Sequence, residues 1–76
     1  MYVYQCFKEH FVGTDGNLRA IYGIKCLEAG KDGVHTAVSL SSVTEDKEAV
    51  EKLVFMCNAG KLSPIHLLDV VEDEFG

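Results

Sequence analysis

Apolar and polar residues alternate over residues 2–12 and again over 17–28. Both runs are rich in Tyr, Val, Phe and Ile, which marks them as half-buried β-strands. Between them, Thr14-Asp15-Gly16-Asn17 has the Asp-Gly centre of a two-residue hairpin turn. With Asp15 and Gly16 as that turn, Phe11 faces Ala20 and Phe7 faces Ile24 across the ladder. The inner face is then Val3, Phe7, Phe11, Ala20, Tyr22, Ile24 and Cys26. A second turn at Gly30-Lys31-Asp32-Gly33 leads into a third strand over 34–40. Pairing Ile24 with Val38 and Tyr22 with Leu40 keeps apolar residues on one face. That register asks for a five-residue loop or a bulged three-residue loop, with Gly33 at a positive φ.

Beyond residue 43 the apolar period changes from two to between three and four. Thr44 followed by Glu45 and Asp46 reads as a helix start, because a hydroxyl caps free amides and acids favour the positive end of the helix dipole. The expected helix covers 45–59, with Ala49, Val50, Leu53, Val54 and Cys57 as its core stripe and Gly60 in a left-handed C-terminal turn. Ser63-Pro64 restarts the chain as a second helix, Ser63 capping and Pro64 first in the helix. Its core side is Ile65, Leu67, Leu68, Val71 and Phe75. The order β-β-β-α-α defines an α+β fold: a three-stranded antiparallel meander with both helices packed on one face.

Seventy-six residues make one domain, 1–76, with a thin core, and 47 % hydrophobic residues place the chain among globular rather than disordered sequences. No apolar run approaches the ~20 residues needed to cross a bilayer, and the N-terminal residues enter a strand pattern rather than an export signal. Cys6, Cys26 and Cys57 are odd in number and widely spaced, so the expectation is reduced thiols in a cytoplasmic protein.

Charge separates the two halves. Residues 1–43 carry four acids and four bases, whereas the other 33 carry eight acids and three bases, so the whole net charge of −5 lies on the helical half. Asp69, Glu72, Asp73 and Glu74 are expected in the last turns of the second helix, where acids oppose the dipole. They make either a solvated face or a docking patch for a basic partner.

The chemistry-bearing residues form no recognisable catalytic or metal pattern. Cys6 and His10 share one side of a strand but lie about 13 Å apart, too far to share an ion, and Cys26 faces the core. Cys57, His66 and Asp69 offer a nucleophile, a base and an orienting acid in name, but Cys57 lies on an apolar stripe as a buried inert thiol. The glycines at 30 and 33 join two strands, not a strand to a phosphate-binding helix N-terminus. No cofactor, metal or catalytic residue is therefore expected, and the chain reads as a non-enzyme.

The open side of the sheet, in the register above, shows Tyr4, Cys6, Lys8, His10, Val12, Arg19, Ile21, Lys25, Leu27 and His35. Bases could stack on Tyr4 there, but net acidity makes nucleic acid an unfavoured partner. Phe55 falls between Glu48, Glu51 and Lys52 on the helical wheel, so it is either covered by the second helix or exposed as a contact. Tyr4, Ile21 and Phe55, with the acids Asp69, Glu72 and Asp73, are the candidate partner-binding residues.

The stretch Tyr22-Gly23-Ile24-Lys25, the helix Val50-Glu51-Lys52-Leu53-Val54 with Cys57-Asn58, and above all the segment LSPIHLLDVVED at 62–73 resemble a family of short clostridial proteins, a domain of unknown function. The resemblance runs over nearly the whole chain and departs only at Glu74-Phe75-Gly76. It implies a bacterial cytosolic origin and assigns no activity, partner or functional residue. The sequence thus leads to a small protein-interaction module whose partner is another protein or a second copy. The alternative is an acidic inhibitor that mimics nucleic acid for a basic-groove protein.

Overall fold

A computed structural model describes residues 1–76. Strands β1 (Tyr2–Val12), β2 (Leu18–Gly30) and β3 (Gly33–Thr44) form one antiparallel sheet in the order β1-β2-β3. Helix α1 (Lys47–Ala59), a 3₁₀ turn (Pro64–His66) and helix α2 (Leu67–Phe75) follow. This is the expected α+β, β-β-β-α-α fold, with α1 against all three strands and α2 against β3. The molecule is long and flat, 46 × 27 × 17 Å.

The first hairpin corrects the expected register by one residue. The Gly13 amide donates to the Asn17 carbonyl (2.8 Å) and the Gly16 amide to the Gly13 carbonyl (2.9 Å). The loop between that closing pair is therefore Thr14, Asp15 and Gly16, three residues rather than two, with Gly16 at φ 81°. The Asp15 carboxylate stabilises it, accepting from the Asn17 amide (3.0 Å) and its side-chain NH₂ (3.1 Å). One extra loop residue shifts the pairing by one, so Phe11 meets Arg19 and Phe7 meets Gly23. Because side chains alternate, that shift turns β1 over. Tyr4 and Cys6 face the helices, whereas Val3, Phe7 and Phe11 lie on the open side.

The second hairpin keeps the expected faces and moves the irregularity. Gly30 pairs with Gly33, so Lys31 and Asp32 form a two-residue turn, with Gly33 at φ 108°. Ile24 meets Leu40 and Cys26 meets Val38, two residues from the expected partners, which leaves the same apolar set inward. The pairing slips between Cys26 and Leu27, a bulge at Ala37, and again between Tyr22 and Ile24 opposite residues 41–43, where Ser42 stands at φ 54°.

Helix α1 begins two residues later than expected. Asp46, not Thr44, caps it by accepting from the Ala49 amide (3.1 Å), while the Thr44 hydroxyl accepts from the Asp46 amide (3.1 Å). The left-handed residue that ends α1 is Lys61 (φ 51°) rather than Gly60 (φ −85°). Leu62 N–H donates to the Cys57 carbonyl (3.0 Å) and Lys61 N–H to that of Asn58 (3.3 Å), a Schellman arrangement with lysine in the place glycine usually takes. Ser63 precedes the 3₁₀ turn without a side-chain cap bond, and α2 proper starts at Leu67. That later start rotates the second helix from the expected setting. Leu67 and Val71 are buried and Phe75 half-buried, but Ile65 and Leu68 are exposed.

The core unites Tyr4, Ile24 and Cys26 of the sheet with Val50, Leu53 and Cys57 of α1 and Leu67 and Val71 of α2. Cys6, expected on the open face, packs against this cluster half-buried.

Candidate functional site

Three surface features follow from this packing: a clasp at Tyr4, an uncovered sheet face and a free strand edge. The clasp fixes where the other two begin. Tyr4 is 2 % exposed, which corrects its expected role as a partner-facing residue. Its hydroxyl donates to the Leu62 carbonyl (2.6 Å), the group that the Schellman turn presents. Its backbone N–H donates to Asn58 Oδ1 (2.7 Å), and its carbonyl accepts from the Asn58 side-chain NH₂ (3.0 Å). A side-chain amide thus pairs with β1 as a neighbouring strand would. Burial, and then the bond and proximity to Cys26 and Cys57, push the Tyr4 phenol well above its ordinary range. The stacking of nucleobases considered for Tyr4 has no geometric basis.

The uncovered face carries the odd-numbered residues of β1 and β2. Val3, Phe7, Ile21 and Leu27 are half-buried, and Phe11 is 38 % exposed. The Phe7 ring lies across Gly23, so close that a Cβ there would collide with Phe7 Cζ and meet the Leu40 carbonyl oxygen at 2.6 Å. Glycine is required at 23 because it lets an aromatic from one strand cover the next. The Lys25 ammonium sits 5.8 Å from the Phe7 ring centroid. Glu9 reaches across the same face to β3, where its carboxylate accepts from the Ser41 hydroxyl (2.7 and 2.8 Å) and the Ser42 amide (3.1 Å). Ile21 is on this face as expected, while Lys8, His10 and Val12 are on the other.

On the helical side, Phe55 is 72 % exposed beside Met56 at 52 %, so α2 does not cover it. Asp69 stands in the first turn of α2, where an acid complements the dipole, contrary to its expected place near the end. Glu72, Asp73 and Glu74 do occupy the C-terminal half, exposed and without basic residues in the last turn. The six sequence candidates are not one site: Tyr4 is core, Ile21 is on the open face, and Phe55 and the acids are on the helical layer.

Cys26 and Cys57 are buried, and burial with the neighbouring Cys26 raises the Cys57 thiol above its ordinary range, the reverse of nucleophile activation. No three His, Cys, Asp or Glu side chains are placed to hold one metal ion. The largest hollow, about 530 Å³, is lined by Met1, Tyr2, Val3, Asn58, Lys61 and Leu62 and contains no acid–base pair of side chains. No helix is long and apolar enough to cross a membrane.

No curated protein and no solved structure matches the chain. The model of one protein family, described as a family of unknown function, DUF6514, matches residues 1–75. With that match spanning both hairpins, the clasp and both helices, the chain belongs to the DUF6514 family of unknown function.

Proposed function

We propose that this chain is a small, non-enzymatic protein-interaction module that engages a protein partner through the uncovered face of its sheet. The observation that carries this reading is the row of Val3, Phe7, Phe11, Ile21 and Leu27, which neither helix covers. Apolar side chains gathered on one face, interspersed with Arg19 and Lys25, have the composition of a recognition surface. The clostridial, cytoplasmic setting implied by segment 62–73 belongs to the same proposal. The second exposed apolar group, Phe55 and Met56, lies among acids and serves as the internal comparison.

The test is partner capture at low and high salt with wild type, Ile21→Asp and Phe55→Asp as baits. The expected result is a partner retained at high salt and lost only with Ile21→Asp, since an apolar contact is insensitive to screening. Partners that disappear with salt and ignore Ile21→Asp would instead favour acidic mimicry of nucleic acid and overturn the proposal.

A further inference from the structure

Each chain has two sheet edges, and they are built differently. Along β1 the register with β2 runs from Tyr2 to Val12 without irregularity. Along β3 it breaks twice, and Ser42 has a positive φ, so that edge is bent and poorly suited to extension. Backbone groups of alternate β1 residues point away from β2. Those of Tyr4 are taken by Asn58, whereas Met1 and Gly13, odd-numbered, bond towards β2. By that alternation Cys6, Lys8, His10 and Val12 turn their N–H and C=O groups outward. No side chain bonds to them, so a straight stretch of unpaired edge starts where the Asn58 clasp ends.

We infer that this edge pairs with the same edge of a second copy, antiparallel about a two-fold axis at Glu9, making one continuous six-stranded sheet. Lys8 then lies opposite the other copy's His10 and Cys6 opposite its Val12, giving about eight backbone hydrogen bonds. On the open face Phe7 stands opposite the other copy's Phe11, twice by symmetry, with the Phe7 ring remaining over Gly23 of its own sheet. The one unfavourable juxtaposition, Glu9 with Glu9, is relieved because each carboxylate is already drawn towards Ser41 and Ser42 of its own β3. Lys8 and Glu9 sum to zero charge, so the contact avoids the acidic residues that give the chain its net −5. The helices also stay apart. Tyr4, where α1 reaches β1, is five residues from Glu9, about 16 Å along the strand on either side of the axis. The outer edges of the pair are both the bulged β3, so assembly closes at two copies instead of growing into a fibre.

The pairing rests on the backbone groups of the β1 edge and leaves Ile21 and Leu27 of β2 uncovered, so Lys8→Pro and Ile21→Asp test it and the open-face partner separately. Sedimentation equilibrium up to about 0.5 mM, a range that reaches weak self-association, should give twice the 8.4 kDa chain mass. Amide exchange at Cys6, Lys8, His10 and Val12 should slow as concentration rises, while that at Gln5 and Phe7 stays constant. Lys8→Pro removes one outward N–H per copy at an edge position that tolerates proline. It should weaken pairing about 30-fold or more and leave capture of an open-face partner intact. Should Lys8→Pro fail to fold, the wild-type exchange profile still decides. A monomer throughout, or a dimer whose four edge amides gain no protection, overturns the inference.

Discussion

Replacing Tyr4 with Phe removes one oxygen from the core and tests the fold at its most connected point. The phenyl ring of Phe fills nearly the same volume without the hydroxyl, so packing within the core cluster is preserved and only the 2.6 Å bond to the Leu62 carbonyl is lost. That carbonyl belongs to the half-buried residue that follows the left-handed Lys61, and its bond to the phenol is part-buried. Leaving a part-buried acceptor unpaired costs about 1–3 kcal/mol. In a domain of this size each kcal/mol lowers Tm by about 4–8 °C. Urea unfolding followed by circular dichroism should therefore show a midpoint shift at constant slope. The pH dependence supplies an independent check. Tyr4 is raised in the folded state, so its stabilising contribution is complete below the unfolded phenol value near 10 and is lost as pH rises through the folded value. Wild type should lose stability steeply above about pH 10. Tyr4→Phe should lose less, retaining the alkaline slopes from Cys57, whose thiol is raised by burial, and from Tyr2, whose phenol is raised by the neighbouring Glu28 carboxylate. A variant within about 0.3 kcal/mol of wild type, indistinguishable from an ordinary surface change, would refute the clasp, as would a Tyr4 phenol that titrates like a free one.

Three further outcomes follow from particular contacts. Gly23→Ala places a methyl between the Phe7 ring and the Leu40 backbone, and thermal unfolding should register a loss of about 1–3 kcal/mol; an unchanged Tm would show that the two strands separate freely. Lys61→Gly relieves the left-handed strain at the end of α1 and should raise stability by about 1 kcal/mol in urea titrations, whereas a loss would mean the lysine stem contributes more than its backbone costs. The Asp15 carboxyl is held below its ordinary range, chiefly by the Asn17 backbone amide and then by the Asn17 side chain and Arg19. Its contribution to the hairpin is present above the unfolded carboxylate value near 4 and lost as pH falls through the lower folded value. Carboxyl NMR titration should find it titrating late on acidification; a value at or above the ordinary carboxylate value near 4 would contradict the loop geometry.

Much of the architecture is written locally and could be read without coordinates. Period-two runs, the Gly30–Gly33 turn and the stripe of Val50, Leu53 and Cys57 each depend on near neighbours, and the α+β layout follows from them. The orientation of β1 does not. Its two faces are nearly equal in hydrophobicity, with Tyr4 and Cys6 on one and Val3, Phe7 and Phe11 on the other, so the alternation alone does not choose between them. The choice is made by the 13–17 loop, where Asn17 prefers to close on Gly13 and to bond Asp15, and by a tyrosine hydroxyl that needs a buried acceptor. The bonds of Asn58 and Leu62 to Tyr4 leave no local signal because the partners lie more than fifty positions apart. The place of Phe55 off the apolar stripe is legible for the opposite reason, since it depends only on its own helix, whereas α2 leaving it uncovered is decided by packing.

The clasp also sets the order of events when the chain is made. β1 is synthesised first, yet the bonds that secure its core face come from Asn58 and Leu62, 54 and 58 positions later. Until those residues are available, the first hairpin has neither a cover for Tyr4 nor a guard on its edge, and it remains a ribbon too small to be stable alone. Loop closure over most of the chain must precede the contacts that reward it, which makes folding slow for a protein of this length. The final quarter of the sequence is thus the part that commits the first strand to its place, and a chain truncated before Leu62 should be left as a collapsed but unlocked sheet.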